Sequence, residues 1–428
     1  MTLRRTPEDF VVEELPTPEF LAAMRGTPGP GFLHAVYRLE KTQLTTPHAA
    51  QLVGAALKVR HNDIQYAGLK DKHAQTVQMV TVAVPTLADG AMLARRAQGP
   101  KWSAELAGWS ARPIDASALA GNRFRIVVRD VRMEQDAAMR SRASRLAMGG
   151  AVMGVQGESL LLLNYFGAQR FGSARHGAGW IARSLIAGRF EEALKLSIAT
   201  PSRKDTGVTR TFTRMLATGW GKAEWARLAR ELPRCPEKKA VERLAFMASR
   251  REGALDERGF REAFVTLPYF LQQLYVEAYQ SHLWNDVARR HIARVVPPGG
   301  GAAILRADDE FGEMLFPAAA AVEQAGEGLR AMQVPLVAPD TVPAEPWASD
   351  LQAALGAEKI TLAELKIPGL RRPYFGEAMR PLFVEARGFE IGPAQADELS
   401  KSKGLKVEVR FDLPRGAYAT VVLRALGQ

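Results

Sequence analysis

Two-residue alternation of apolar and polar side chains recurs near both ends of this chain, and a helical period fills the middle. That distribution restricts the fold more than any other feature. Phe10-Val11-Val12-Glu13-Glu14, Phe32 to Leu39, Asp63 to Ala67, Met79 to Val84 and Asn122 to Val128 read as strands. Lys406 to Phe411 alternates again, Pro414-Arg415-Gly416 marks a turn, and Tyr418 to Leu423 reads as a further strand. A helix is expected over Pro47 to Val59, with Thr46 as its cap and Pro47 at its first position, and another over Gln135 to Met148 with Arg140, Arg142 and Arg145 on its polar side.

From about residue 175 to 295 the pattern is helical. Tyr275, Tyr279, Leu283 and Val287 recur every four residues as one apolar face, and Arg289, Arg290, His291 and Arg294 end that helix with cations that suit its dipole. Residues 296 to 301 read as a loop, and the Pro- and Ala-rich stretch 334 to 346 as an irregular connection. The economical architecture is α/β (α+β). A discontinuous domain over 1–175 and 375–428 would hold a mixed, largely antiparallel sheet, and a mostly helical insertion would occupy 176–374.

Composition narrows the function classes. With 57 basic against 46 acidic residues the net charge is +11, which favours a polyanionic partner, nucleic acid before an anionic membrane. No apolar run approaches spanning length, and the first residues lack the apolar core of a secretory signal. The single cysteine, Cys235, rules out an internal disulfide and fits a reducing cytoplasm. The histidines, His34, His48, His61, His73, His176, His282 and His291, show no metal-ligand spacing. Gly-x-Ser-x-Gly, Gly-x-Gly-x-x-Gly and Walker A sequences are absent. What remains is cofactor-free chemistry on an anionic substrate, with a carboxylate as the natural nucleophile.

The segment best suited to supply one is Gly68-Leu69-Lys70-Asp71-Lys72-His73-Ala74-Gln75-Thr76-Val77-Gln78. A lone Lys-Asp-Lys after glycine is ordinary surface punctuation. Here the flanking strands would present it on a rigid loop, with Thr76 and Gln78 able to hold a carboxylate or a substrate edge.

Further segments bear on the reading: Arg4-Arg5-Thr6-Pro7-Glu8-Asp9-Phe10, Gly121-Asn122-Arg123-Phe124, Asn164-Tyr165-Phe166-Gly167-Ala168-Gln169-Arg170-Phe171-Gly172, Ala278-Tyr279-Gln280-Ser281, and Leu413-Pro414-Arg415-Gly416-Ala417-Tyr418. Together and in this order they closely resemble the TruD family of pseudouridine synthases, from Arg4 to Arg424. The middle, roughly 180–265 and 295–370, matches only loosely and is longer than in compact bacterial members.

The resemblance implies isomerisation of uridine to pseudouridine in RNA, most readily at position 13 of tRNA. It implies no metal or cofactor and a cytoplasmic protein, and a monomer is expected. Asp71 occupies the place of the catalytic carboxylate. Arg4 stands where a lysine usually pairs with it, and arginine and lysine are not interchangeable. Phe10, Asn122, Phe124, Gln78 and Tyr418 would bind the substrate, Tyr418 replacing a common phenylalanine. Lys70, Lys72 and Arg170 would contact RNA by the matched motifs, and Arg371 and Arg372 are further candidates from charge alone.

The residue types make chemical sense for such a reaction. A target base must leave its stack to be reached, and aromatic faces at Phe10 and Tyr418 compensate for the lost stacking. An amide such as Asn122 offers both donor and acceptor to a uracil edge. A cation at Arg4 favours and orients the ionised carboxylate. That carboxylate could attack C1′ or assist departure of uracil as a glycal-like species, and the sequence does not choose between the two. The alternatives are a non-catalytic RNA-binding or chaperone protein on the same scaffold, or a synthase acting on other tRNA or RNA sites.

Overall fold

A computed structural model describes residues 1–149, 158–172, 179–202, 205, 207–221, 224–250, 254–296 and 303–428. His176, the expected boundary at 175/176 and most of the glycine-rich loop at 296–301 lie outside the described residues.

The chain divides into two compact units. The first comprises Met1–Leu162, Phe316–Gln324 and Phe383–Gln428, and the second Leu163–Leu315 and Ala325–Leu382. In chain order the first strands are β1 (Phe10–Pro16), β2 (His34–Thr42), β3 (Ile64–Tyr66), β4 (Gln75–Ala83), β5 (Arg96–Gly99), β6 (Trp102–Ser110), β7 (Leu119–Val131) and β8 (Glu158–Leu163). Next come β9 (Ile304–Asp309) and β10 (Gly312–Pro317), which pair, and β11 (Gln333–Leu336) and β12 (Ala378–Pro381), which also pair. Last are β13 (Phe383–Ile391), β14 (Gln395–Ala396) and β15 (Leu405–Pro414).

The large sheet runs β5-β6-β2-β4-β1-β7-β15-β13-β8, with β3 beside β4 and β14 beside β15. β1 pairs parallel with β4 and antiparallel with β7. β2 is antiparallel to β4 and β6, and β15 is antiparallel to β7 and β13. The sheet is thus mixed and largely antiparallel.

Its register decides which side chains meet. Residues directly opposite one another point to the same face. Phe10 faces Ile126, Val12 faces Phe124 and Glu14 faces Asn122, while Phe124 faces Phe411 and Asn122 faces Leu413. One face of the central strands therefore carries Phe10, Glu14, Asn122, Phe124 and Phe411. Gly121 lets β7 and β15 come this close: a Cβ there would lie 2.2 Å from the Leu413 carbonyl oxygen.

Several local expectations need correction. The helix near residue 50 spans Thr46–Leu57 and its cap is Thr45, whose Oγ1 accepts from the His48 amide at 3.4 Å. Thr46 is inside the helix, and its hydroxyl is used elsewhere. Tyr418 to Leu423 is not a strand: Tyr418 precedes the helix Ala419–Ala425, whose Ala419, Val421, Val422, Leu423 and Ala425 are buried. A short apolar run is compatible with either period, and packing overrides the β-branched preference. In the helix Met133–Leu146, Arg140 and Arg142 are not merely solvated. Arg140 donates to Asp136 and the Gly392 carbonyl, and Arg142 Nε donates to the Ala425 carbonyl at 2.7 Å. The connection expected at 334–346 is shorter, because Gln333–Leu336 pairs with Ala378–Pro381 as β11 and β12.

The second unit is mostly helical. Its longest element, Tyr269–Val295, buries Tyr275, Tyr279, Leu283 and Val287 as the spacing predicted. Two polar side chains on that helix are satisfied by backbone. Gln280 Nε2 donates to the Val337 and Gly376 carbonyls, and Trp284 Nε1 donates to the Val334 carbonyl. No helix among the described residues is long and apolar enough to cross a membrane.

Candidate active site

Asp71 sits between β3 and β4, and three side chains grip the backbone of its loop. Gln78 Nε2, from β4, donates to the Gly68 carbonyl at 3.3 Å. The Thr46 hydroxyl accepts from the Lys70 amide at 3.0 Å and donates to Gln78 Oε1 at 2.9 Å. Lys41 Nζ, from β2, donates to the Leu44 carbonyl at 2.8 Å and to the Asp71 carbonyl at 3.2 Å. Thr46, Gln78 and Lys41 are all buried. A loop held at three backbone groups by buried donors and acceptors is preorganised.

The carboxylate is held at both oxygens. Oδ1 accepts from the His73 amide at 2.9 Å, and Oδ2 accepts from Arg4 Nη1 at 2.7 Å. The Asp71 side chain remains 32% exposed and that of Arg4 25%, so a substrate can reach the pair. Arg4 lies with its guanidinium carbon 4.0 Å from the centroid of the Phe10 ring. The plane of the guanidinium thus has an aromatic backing, a contact worth about 0.5–2 kcal/mol. Arg4 adopts a left-handed φ of +59°, uncommon for a non-glycine residue. Its placement is fixed on either side. Thr2 and Arg129 bridge backbone to backbone, and Asp9 Oδ2 caps the Thr6 amide at 3.0 Å. Asp9 also accepts from Arg129, which reaches Asp397 at 2.6 Å. These carboxylates raise Arg129 above its ordinary range against the opposing effect of burial. Two residues of the Pro-Glu-Asp-Phe sequence therefore play separate parts. Asp9 anchors the N-terminal segment, and Phe10 backs the arginine.

The residues expected to bind substrate fall into different places. Phe10 and Phe124 are buried, packed edge to face at 6.2 Å, and Phe124 stacks on Phe411 at 5.5 Å. They form the aromatic wall of the face on which Arg4 and the Asp71 loop rest. Asn122 stands on that same face, and its buried Oδ1 has no hydrogen-bond partner among the described residues. A buried acceptor left open is costly unless something else fills it. Tyr418 is half-buried and begins the helix beyond the turn that follows β15, whose last residues pair with Gly121 and Asn122. Gln78 is 1% exposed and committed to Thr46 and Gly68, so in this structure it supports the loop rather than offering its amide to a substrate.

The three expected RNA-binding cations also separate. Lys70 Nζ lies 2.6 Å from Glu14 Oε1, with side chains 9% and 1% exposed, so its charge is used inside the protein. Burial raises the Glu14 pKa, and Lys70 opposes that shift. Lys72 is exposed. Arg170, in the second unit, donates to Glu277 at 2.7 Å and to the Ser281 hydroxyl at 3.2 Å.

Lys41 and Glu14 are the groups the sequence reading missed, and both left a signal. Each occupies a buried parity of its strand, Lys41 after Tyr37 and Leu39, Glu14 after Phe10 and Val12. A charge on the apolar face of a strand requires a buried partner. Burial pulls the Lys41 pKa down to about 8, Asp71 pulling it up and Lys70 down. Among the described residues no group of three or more His, Cys, Asp or Glu side chains is arranged to hold a metal.

Comparisons with known proteins identify the family. The family model for tRNA pseudouridine synthase D (TruD) matches residues 1–426. "Probable tRNA pseudouridine synthase D 1" of Methanococcus maripaludis is 26% identical over 427 residues, covering 99% of this chain and 98% of its own. The tRNA pseudouridine synthase D of Aquifex aeolicus is 25% identical over 428 residues, covering 99% and 97%. A crystal structure of a TruD protein from Methanosarcina mazei shares the fold, with a TM-score of 0.68 at 22% identity over 99% of this chain and 92% of its own. The chain belongs to the TruD family of tRNA pseudouridine synthases.

Proposed function

We propose that this enzyme converts uridine to pseudouridine at position 13 of tRNA, without metal or cofactor, with Asp71 as the catalytic carboxylate and Arg4 as its partner. The observation that carries this reading is the 2.7 Å contact from Arg4 Nη1 to Asp71 Oδ2, set on a loop gripped at three backbone groups. Position 13 rests on family resemblance alone.

The reaction breaks the C1′–N1 bond of uridine and forms a C1′–C5 bond. The hydrogen on C5 is lost and N1 gains one, so no oxidant or reductant is needed. The carboxylate can act as nucleophile at C1′ or as the base of a glycal-like route. In either case Arg4 aims the carboxylate through a charge-assisted contact. The open Oδ1 of Asn122 supports a role in reading the uracil imide, whose N3–H needs an acceptor. Phe10 acts through Arg4, and Tyr418 offers a ring for the extruded base.

The test is carbodiimide and primer-extension mapping of unmodified tRNA transcripts, incubated with EDTA and no added cofactor. The wild-type protein should give one new stop, and Asp71→Asn should give none while still binding tRNA. Turnover by Asp71→Ala, or loss of activity with EDTA, contradicts the proposal. Tight binding with no stop on any tRNA leaves the non-catalytic binder or another RNA substrate.

A further inference from the structure

The second unit carries a cluster of exposed rings that the chemistry above does not use. Phe270 is 68% exposed, Tyr374 53% and Tyr269 46%. Tyr269, Phe270 and Gln273 share one face of the helix Tyr269–Val295 by their spacing of three and four. Gln273 ties Tyr374 to that face. Its Nε2 donates to the Tyr374 carbonyl at 3.0 Å, its Oε1 accepts from the Tyr374 amide at 3.3 Å, and the Tyr269 hydroxyl donates to the same oxygen at 3.4 Å. On either side of Tyr374, Pro373 and Phe375 are buried, so the segment is anchored while the ring between them stays outside.

Two cations accompany the rings. The Arg372 guanidinium carbon lies 5.9 Å from the Tyr269 centroid. Arg371 and Arg372 are exposed, and neither guanidinium is engaged by a carboxylate among the described residues. Exposed rings beside arginines that have no carboxylate partner among the described residues suit a ligand with flat faces and anionic links. Protein partners also use tyrosine and arginine, but two exposed arginines with no carboxylate partner among the described residues and the net charge of +11 favour a polyanion.

We propose that Tyr269, Phe270 and Tyr374 form a stacking platform for an unpaired base of the tRNA substrate, with Arg371 and Arg372 taking the adjacent phosphates. The proposal rests on the reading of the chain as a tRNA-acting enzyme. It concerns binding: Asp71 and Arg4 belong to the other unit, so loss of the platform falls on KM rather than kcat.

The experiment compares wild type, Phe270→Ala/Tyr374→Ala, Phe270→Trp and Arg371→Gln/Arg372→Gln. It measures equilibrium binding of an unmodified tRNA transcript across a salt series, together with steady-state pseudouridine formation and sedimentation. Losing a base stack should weaken binding about tenfold and raise KM in step. Phe270→Trp should keep wild-type affinity. The arginine pair should lower the slope of log affinity against log salt by about two. Should the double aromatic variant fail to fold, Phe270→Ala and the arginine pair carry the same comparison. Unchanged affinity and slope overturn the platform, and a change in sedimentation alone assigns the rings to a protein contact and overturns it equally. If wild type forms no pseudouridine yet the variants lose affinity, the platform stands and the reading of the reaction falls.

Discussion

Replacing Lys41 by methionine separates the tether of the Asp71 loop from everything else near it. The Lys41 ammonium is fully buried and donates to two backbone carbonyls, one of them that of Asp71. Its pKa falls from 10.5 to about 8 because burial disfavours the charge, which amounts to about 3 kcal/mol against the protonated form. Methionine has similar length and no charge, so that penalty disappears. The two carbonyls then lose their donor, at about 1–3 kcal/mol each. The two effects nearly cancel, and the variant should fold with stability within a few kcal/mol of wild type.

What it loses is the bond that fixes the Asp71 backbone. A displacement of about 1 Å at a reacting group costs on the order of a hundredfold in rate, so kcat should fall roughly 10- to 100-fold with tRNA affinity kept. Steady-state pseudouridine formation and binding of the same transcript read the two separately. An unchanged kcat in a folded Lys41→Met protein refutes the claim that this tether positions the carboxylate.

The pH dependence follows from the same group. Lys41 has a lower pKa in the fold than in the unfolded chain. Between about 8 and 10.5 the unfolded chain therefore holds a proton that the folded one has released. Stability then rises with pH across that window. The wild type should gain up to about 3 kcal/mol on Lys41→Met as pH passes from below 8 to above 10.5, as read by urea melts.

The two lysines beside Asp71 should behave differently. Lys70→Met strands the buried Glu14 carboxylate and should cost about 3–5 kcal/mol, much of it recovered in a Glu14→Gln/Lys70→Met protein, as measured by urea unfolding. Lys72→Gln should leave stability intact and reduce the salt slope of tRNA binding by about one. Gly121→Ala would set a Cβ 2.2 Å from the Leu413 carbonyl oxygen, forcing β7 and β15 apart. It should destabilise by at least about 1–3 kcal/mol and weaken activity through the adjacent Asn122, visible as a lower urea midpoint and a raised KM.

Much of the architecture was legible because it is periodic. The alternation along Phe10 to Glu14 and Asn122 to Val128 placed two central strands, and the spacing of Tyr275, Tyr279, Leu283 and Val287 placed the long helix. Asp71 was legible as the centre of a loop between strands, because glycine, flanking polar residues and strand patterns are all local. The sequence did not distinguish Lys70 from Lys72, which stand symmetrically about Asp71. Only the sheet, by setting Glu14 opposite Asn122 on a buried face, draws one lysine inward and leaves the other in water. Gln78 and Arg170 look equally available on paper. Their partners, Thr46 and Gly68 for one, Glu277 and Ser281 for the other, come from segments that only folding brings near. The run from Tyr418 to Leu423 had a local preference for strand, and burial of the helix Ala419–Ala425 on all sides but that of Thr420 and Arg424 outweighed it. Local chemistry thus determined where the carboxylate, the cation and the strands lie along the chain. The tertiary structure decided which charges are spent in the interior, because desolvation makes every buried ion take a partner and the fold alone supplies it.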